Sequence, residues 1–509
     1  MKTIAFHDRL FSLVFCLCAL CAFVVNSSFA DEPTRTWPTY RGNAQRTGNV
    51  DGHAVGDHVL WVHKSQDHFV ASPVPWGDKV FVAGLGAFNA PAFYCLSAGE
   101  RVGQRVAWTK GSPYLKLPTV SSPAIVNDKL IFGDGMHQTD GAVLHCLRLD
   151  GGMPLWQLPV PGKLVHLEGS VTVSDGRIFI GSGAAGVLCV NLHQVVLDGK
   201  ELSLGDVQKT LDLKWKDLLV KYESDKKKDP DFAVPPNDDQ LPKPAPVQVW
   251  QQGAAKWHVD APVAVVGQRV LVASAFLDKE KEGDRALFCL DAKTGNIQWR
   301  MPLKYNPWGG PSVINDLIVV TGSTIGYEPK LVKVAKGGIA AFDLATGKEK
   351  WHKDLNAGIV SCAALTKELA VVCCTDGKVR AYQLGTGQLK WSYDAQAPLF
   401  APPAIAAAGF FESGPAKTVS EFAKSIKEVN NEIAYVGDLK AVVHAVDLTT
   451  GKQMWTVDLA NHPAVKCPGM IYGGPALDRG RLFVATCNLE GPWARQPTCV
   501  VCIGMKTTR

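Results

Sequence analysis

Ala286-Leu-Phe-Cys-Leu-Asp-Ala-Lys-Thr-Gly-Asn-Ile-Gln-Trp299 is the stretch that decides the architecture. It reads as a strand, a Thr-Gly hairpin turn and a second strand ending in tryptophan, with the glycine supplying the positive φ that the turn needs. The unit returns as Ile339-Ala-Ala-Phe-Asp-Leu-Ala-Thr-Gly-Lys-Glu-Lys-Trp351, as Val379-Arg-Ala-Tyr-Gln-Leu-Gly-Thr-Gly-Gln-Leu-Lys-Trp391 and as Val443-His-Ala-Val-Asp-Leu-Thr-Thr-Gly-Lys-Gln-Met-Trp455. A small residue stands ten positions before the tryptophan in five units: Cys146 to Trp156, Cys289 to Trp299, Ala341 to Trp351, Ala381 to Trp391 and Ala445 to Trp455. One unit is stretched, Cys95 to Trp108, and another is spread from Cys189 to Trp257 by a long insertion.

Upstream of each unit a small residue or proline opens an apolar strand. There are eight such openers: Ser72-Pro73, Ser122-Pro123, Ser170-Val171, Ala261-Pro262, Gly310-Pro311, Cys362-Ala363, Pro402-Pro403 and Gly474-Pro475. Most lead through a turn into a further strand such as Lys79-Val-Phe-Val-Ala83, so each repeat holds four strands, the size of a propeller blade. The eighth unit ends at Cys502 without a tryptophan, and the missing one stands at the other end of the chain, in Val59-Leu-Trp61. The expectation is an all-β, eight-bladed β-propeller of four-stranded blades, closed by the N-terminal strand, which removes the exposed edges an open ring would leave.

The pattern Ala-x-Asp-x-x-Thr-Gly-x-x-x-Trp resembles the repeat of the pyrroloquinoline quinone (PQQ) type of propeller, and Trp37-Pro-Thr-Tyr-Arg-Gly-Asn-Ala-Gln-Arg-Thr-Gly48 resembles that family's opening segment. The resemblance implies the fold. It leaves function open, because the family includes PQQ-dependent alcohol dehydrogenases and also the non-catalytic propeller lipoprotein of the outer-membrane β-barrel assembly machine.

The chain has 509 residues and a formal net charge of +5 spread along its length, so charge gives no reason to expect nucleic acid as a partner. Residues 1–30 read as a signal peptide: Lys2 and Arg9, an apolar run from Phe11 to Val25, and the small-x-small site Ser28-Phe29-Ala30. The run is short for a membrane span, and Leu20 before Cys21 is large where a lipid-anchored chain wants a small residue. The expected mature protein is therefore exported, periplasmic or secreted, without an integral span, and is a single propeller over residues 31–509. Its expected partners are envelope proteins.

Two insertions interrupt the repeat. Residues 191–256 are expected between the third and fourth strands of blade 3, with Val207, Leu211, Trp215, Leu218 and Tyr222 at helical spacing behind Asp206 as a cap, and a mobile proline-rich loop from Lys226 to Pro246. Residues 407–431 interrupt blade 7, where Thr418 and Glu421 form a capping box. The stripes either pack on the propeller or dock a partner. On the opposite face the connections between second and third strands are long, among them Asp134–Ala142 and Ser323–Gly338, and form a funnel over the channel, the default place for a ligand.

Of the 14 cysteines, Cys16, Cys18 and Cys21 fall in the leader. Cys95, Cys146, Cys189, Cys289 and Cys502 hold the slot that other blades fill with Ala341, Ala381 and Ala445, which makes them small buried packers. PQQ alcohol dehydrogenases carry a vicinal cysteine pair, but Cys373-Cys374 sits on a strand, where neighbours face opposite ways. A quinoprotein also needs calcium ligands and an acid-base pair where the first strands begin. At those positions only Glu168 and Asp260 are acidic, and Trp308 adds an aromatic. His68, His166 and His258 precede three first strands and are candidate transition-metal ligands beside the two carboxylates, unless they are scattered surface histidines. The leading expectation is a non-catalytic binding or scaffold protein of the cell envelope. The alternative is a PQQ- and calcium-dependent dehydrogenase.

Overall fold

In the computed structural model the described residues are 37–87, 90–137, 139–406, 432–489 and 494–506. The leader and the second insertion, 407–431, lie outside them.

Each repeat folds into one antiparallel sheet, and eight such blades form the ring, all of four strands except blade 3, which gains a fifth. The repeat slots line up across each blade. In blade 4 Ala264, Leu271, Cys289 and Trp299 stand side by side; in blade 6 Ala364, Val371, Ala381 and Trp391 do so. The row is small, large, small, tryptophan, and it explains why cysteine and alanine interchange: the third-strand residue faces the indole directly and has no room for more. All eleven cysteines among the described residues are free and buried.

The terminal strand completes the ring. His58–Ser65 pairs antiparallel with Thr498–Gly504, Trp61 opposite Cys502, and forms the outer strand of blade 8.

Blades are joined by the recurring chemistry of the turn. Asp343 accepts hydrogen bonds from the backbone N–H and the hydroxyl of Thr346 at 2.9 and 2.8 Å, and Asp447 does the same for Thr450. The turn so shaped presses its glycine against the tryptophan of the preceding blade. Gly387 has φ +68°, and a Cβ there would stand 2.5 Å from the Trp351 ring; at Gly451 the corresponding distance to Trp391 is 2.7 Å. The indoles answer by donating to turn carbonyls, Trp351 to Leu384 at 2.8 Å and Trp391 to Leu448 at 2.7 Å.

The blade 3 expectation needs correction. Its fourth strand is Ala245–Gln252, and the residue opposite Cys189 is Trp250, not Trp257. Trp250 donates to Ala292 at 3.1 Å, as Trp351 and Trp391 do to their turn carbonyls, whereas Trp257 follows the strand and packs on Phe288 with ring centroids 4.0 Å apart. The third strand runs on to Leu197, pairs with Lys200–Ser203 in a hairpin, and leads into helix α1 (Leu204–Lys228). The cap is Ser203, whose hydroxyl accepts from the Asp206 N–H at 3.1 Å; Asp206 is inside the first turn. Leu204, Val207 and Leu211 are buried in the core of blades 2 and 3, with Trp215 and Leu218 packed against it. The stretch after α1 is tethered rather than free: Asn237 caps a short 3-10 turn, and Asp238 pairs with Lys110 of blade 1.

Candidate functional site

Residues Trp37–Asp51 run along the inner strands. The Pro38, Ala44, Gln45, Thr47 and Gly48 carbonyls accept from the N–H groups of Ile125, Val265, Val313, Leu365 and Ile405, the first strands of blades 2, 4, 5, 6 and 7. Arg46 pins the segment. Its fully buried guanidinium donates to the carbonyls of Tyr40, Ser170, Val171 and Val263 at 2.6 to 3.2 Å and to the Thr172 hydroxyl. Burial pushes its pKa down to about 10, so it is still a cation at neutral pH. The carbonyl contacts fall within the first strands, and those of Arg46 reach residues at and just before the first strands of blades 3 and 4. The candidate ligands stand earlier in the chain than these, where the second-to-third-strand loops form the funnel.

That funnel has two halves. On the side of blades 5 to 8 it is filled with apolar side chains: Val360, Phe400 and Tyr472, which precede first strands, pack with Ile325, Leu439 and Met470. Phe400 stacks on Tyr472 at 5.7 Å between centroids, and Tyr327, from the long loop of blade 5, meets both edge-on at 5.9 and 6.3 Å.

On the side of blades 2 to 4 it is polar. His166 Nε2 lies 2.7 Å from Asp260 Oδ1, and His258 Nε2 lies 3.1 Å from the same oxygen. Both imidazoles are fully buried. A third histidine, His137, joins them from the loop after blade 2's second strand. The three rings are mutually edge-on, with centroids 5.2, 5.3 and 5.6 Å apart. One donor atom from each of His137, His166, His258 and Asp260 lies within 4.8 Å of every other. Glu168 accepts the His137 backbone N–H and so holds that loop over the cluster.

Burial and charge set the protonation states. Burial lowers His166 to about 4, against the pull of Asp260. Burial also works to lower His258, but the charge of the close Asp260 carboxylate outweighs it and holds this imidazole above its ordinary value. Burial works to raise Asp260, and the imidazoles overcome it, keeping the carboxyl below the usual range. Burial, then the neighbouring Asp260, push Glu168 up to about 8.

Of the residues singled out from sequence, His166, His258, Asp260 and Glu168 come together. His68 does not: its Nδ1 accepts from the Asn488 backbone at 3.3 Å, at the blade 8 side. Trp308 is half-buried before blade 5's first strand, its indole N–H without a partner. His137 was missed; its only sequence signal is its place in a long loop on the funnel face. Cys373 and Cys374 belong to different core clusters, on opposite faces of their sheet.

The residues present do not fit PQQ with calcium. Calcium takes six to eight oxygen ligands. Here the acidic side chains at the starts of the first strands are Glu168 and Asp260. One oxygen of Glu168 is engaged by a backbone N–H, and one of Asp260 by two imidazoles. The other half of the funnel, where a flat ring system would need space, is packed with the protein's own aromatics.

A family profile described as outer membrane protein assembly factor BamB, of the PQQ repeat type, matches residues 53–204 and 246–400, more than half of the chain, with α1 in the gap between. Among solved structures, BamB from Moraxella catarrhalis is similar at 13% identity, covering 89% of this chain and 99% of that one with a TM-score of 0.52. A europium-containing methanol dehydrogenase is similar at 12% identity, 93% and 98% coverage and a TM-score of 0.57. Quinohemoprotein alcohol dehydrogenase from Comamonas testosteroni is similar at 12% identity, 96% and 84% coverage and a TM-score of 0.56. At such identities the likeness shows the fold alone. No curated protein sequence matches the chain.

Proposed function

For a chain that belongs to the PQQ-repeat family of BamB-type propellers, we propose a non-catalytic binding and scaffold role in the cell envelope, after export and cleavage near Ala30. The observation that carries this reading is the packing of the channel. Trp37–Asp51 lines its inner strands and an aromatic cluster fills half of its funnel, so the surface that quinoprotein chemistry would use is spent on the fold. Among the described residues no helix is long and apolar enough to cross a membrane.

A partner surface is offered by the first insertion. Phe232 and Val234, 82% and 79% exposed, stand beyond the end of α1 and share a cleft with Leu218 and Tyr222 of the helix. Apolar side chains this open suit a protein partner better than water.

Two measurements test the reading. Purified protein given PQQ and Ca²⁺ is expected to show no rise in melting temperature and no alcohol-dependent dye reduction; both together would establish the dehydrogenase instead. Cross-linking in envelope extracts is expected to give a discrete partner that Phe232→Asp/Val234→Asp loses. An unchanged adduct would remove the insertion from the interface.

A further inference from the structure

The three-histidine cluster at the funnel is used neither by the fold nor by the partner reading. His166 and His258 are fully buried, yet each keeps a ring nitrogen, Nδ1, with no hydrogen-bond partner. His258 Nε2 lies 3.1 Å from Asp260 without making a hydrogen bond of good geometry. Polar rings packed inside a protein normally have their nitrogens satisfied. Two buried imidazoles brought to one carboxylate oxygen, with a third imidazole closing over them, have the form of a ligand set.

The ring spacing supports this. With metal–nitrogen bonds of about 2.0–2.1 Å, three imidazoles on one tetrahedral ion have their centroids about 5 Å apart. The observed separations are 5.2, 5.3 and 5.6 Å, and the rings meet edge-on, at 62°, 61° and 79°, rather than stacking. Stacked rings would aim their nitrogens past one another; here one donor atom of each ring lies within 4.8 Å of every other. Asp260 is the fourth donor. The site is also built from separate elements, since His166 and His258 precede the first strands of blades 3 and 4 while His137 descends from blade 2. The last is held by Glu168, which accepts its backbone N–H. That carboxylate fixes the loop that carries the ligand rather than a ligating ring.

We infer that His137, His166, His258 and Asp260 bind a single divalent transition ion of the zinc class at the funnel mouth. Imidazole nitrogens select zinc, cobalt, nickel or copper over calcium and magnesium. His166 and His258 are buried and His137 is exposed, so the ion is reached from solvent past His137. Binding ties the loop of blade 2 to blades 3 and 4.

Cobalt(II) serves as the probe, added to untagged, chelator-treated protein. The expected result is one ion per chain, visible d–d bands of tetrahedral intensity without thiolate charge transfer, displacement by equimolar zinc, and a rise in melting temperature. His137→Ala, at an exposed position the fold does not need, is expected to weaken binding by at least about 100-fold, beyond the 10–100-fold typical of losing an outer-sphere partner. Asp260→Asn, of equal size, is expected to weaken it similarly and to change the spectrum. No stoichiometric cobalt binding, a thiolate spectrum, or two variants that bind like wild type would each overturn the assignment.

Discussion

Trp61 gives the sharpest test of how the ring is closed. It is only 6% exposed, packs against Phe483 at 6.0 Å between centroids, and lies under the Arg105 guanidinium at 4.2 Å. Its indole N–H donates to the Ala98 carbonyl in blade 1 at 3.0 Å, so one side chain joins the last blade to the first. Trp61→Ala removes a buried aromatic and is expected to cost about 3–5 kcal/mol. Trp61→Phe keeps most of the packing and loses the hydrogen bond. The Ala98 carbonyl retains the Arg481 donor at 3.1 Å and is not orphaned, so the expected cost is about 1 kcal/mol. The comparison is Trp391→Ala, the equivalent residue inside the ring, where the expected cost is again about 3–5 kcal/mol. Urea unfolding followed by far-ultraviolet circular dichroism measures all three. If Trp391→Ala shows its full cost and Trp61→Ala costs less than about 1 kcal/mol, the N-terminal strand is a peripheral addition and the closure argument fails.

Cys289→Ala is expected to cost about 1 kcal/mol or less, since alanine fills the slot in blades 5 to 7, and Cys289→Leu about 1–3 kcal/mol by overpacking; denatured, unreduced protein should titrate at least the five thiols of Cys95, Cys146, Cys189, Cys289 and Cys502, and paired oxidation of these would refute the packing account. Arg46→Met should cost about 3 kcal/mol or more, because several buried carbonyls lose their donor together; a loss under about 1 kcal/mol in urea would show that the Trp37–Asp51 segment does not depend on it. The Asp343 hydrogen bonds from Thr346 and the nearby Lys350 hold its carboxyl down to about 2 from an ordinary 3.8. Its stabilising effect is therefore present above pH 4 and lost as pH falls toward 2, so acid-unfolding curves of wild type and Asp343→Asn should converge at the acid end; a gap that persists unchanged there would contradict the sign.

What was legible in the sequence was whatever the repeat carries locally. The ten-residue step from a small residue to tryptophan is the length of one hairpin, so it gives strand, turn and register together. Cys95, Cys146, Cys189, Cys289 and Cys502 could be assigned to the alanine slot by phase alone. The out-of-phase Trp61 implied closure because a ring of eight repeats leaves one outer strand unaccounted for. Glu168, Asp260, His166 and His258 were also found by phase, since residues just before each first strand must share one rim. Where the phase was interrupted, local reading failed. In blade 3 the insertion destroyed the ten-residue step, and only the pairing of Cys189 with Trp250 chose between two tryptophans seven positions apart. His137 lies on a loop whose path is set by contacts with a neighbouring blade, chiefly with Glu168, and no periodicity records those. The same holds for Trp37–Asp51, whose bonds go to residues up to several hundred positions away. The tertiary structure alone decided that the funnel is half apolar and half imidazole, because side chains from seven different blades meet there only once the ring has closed.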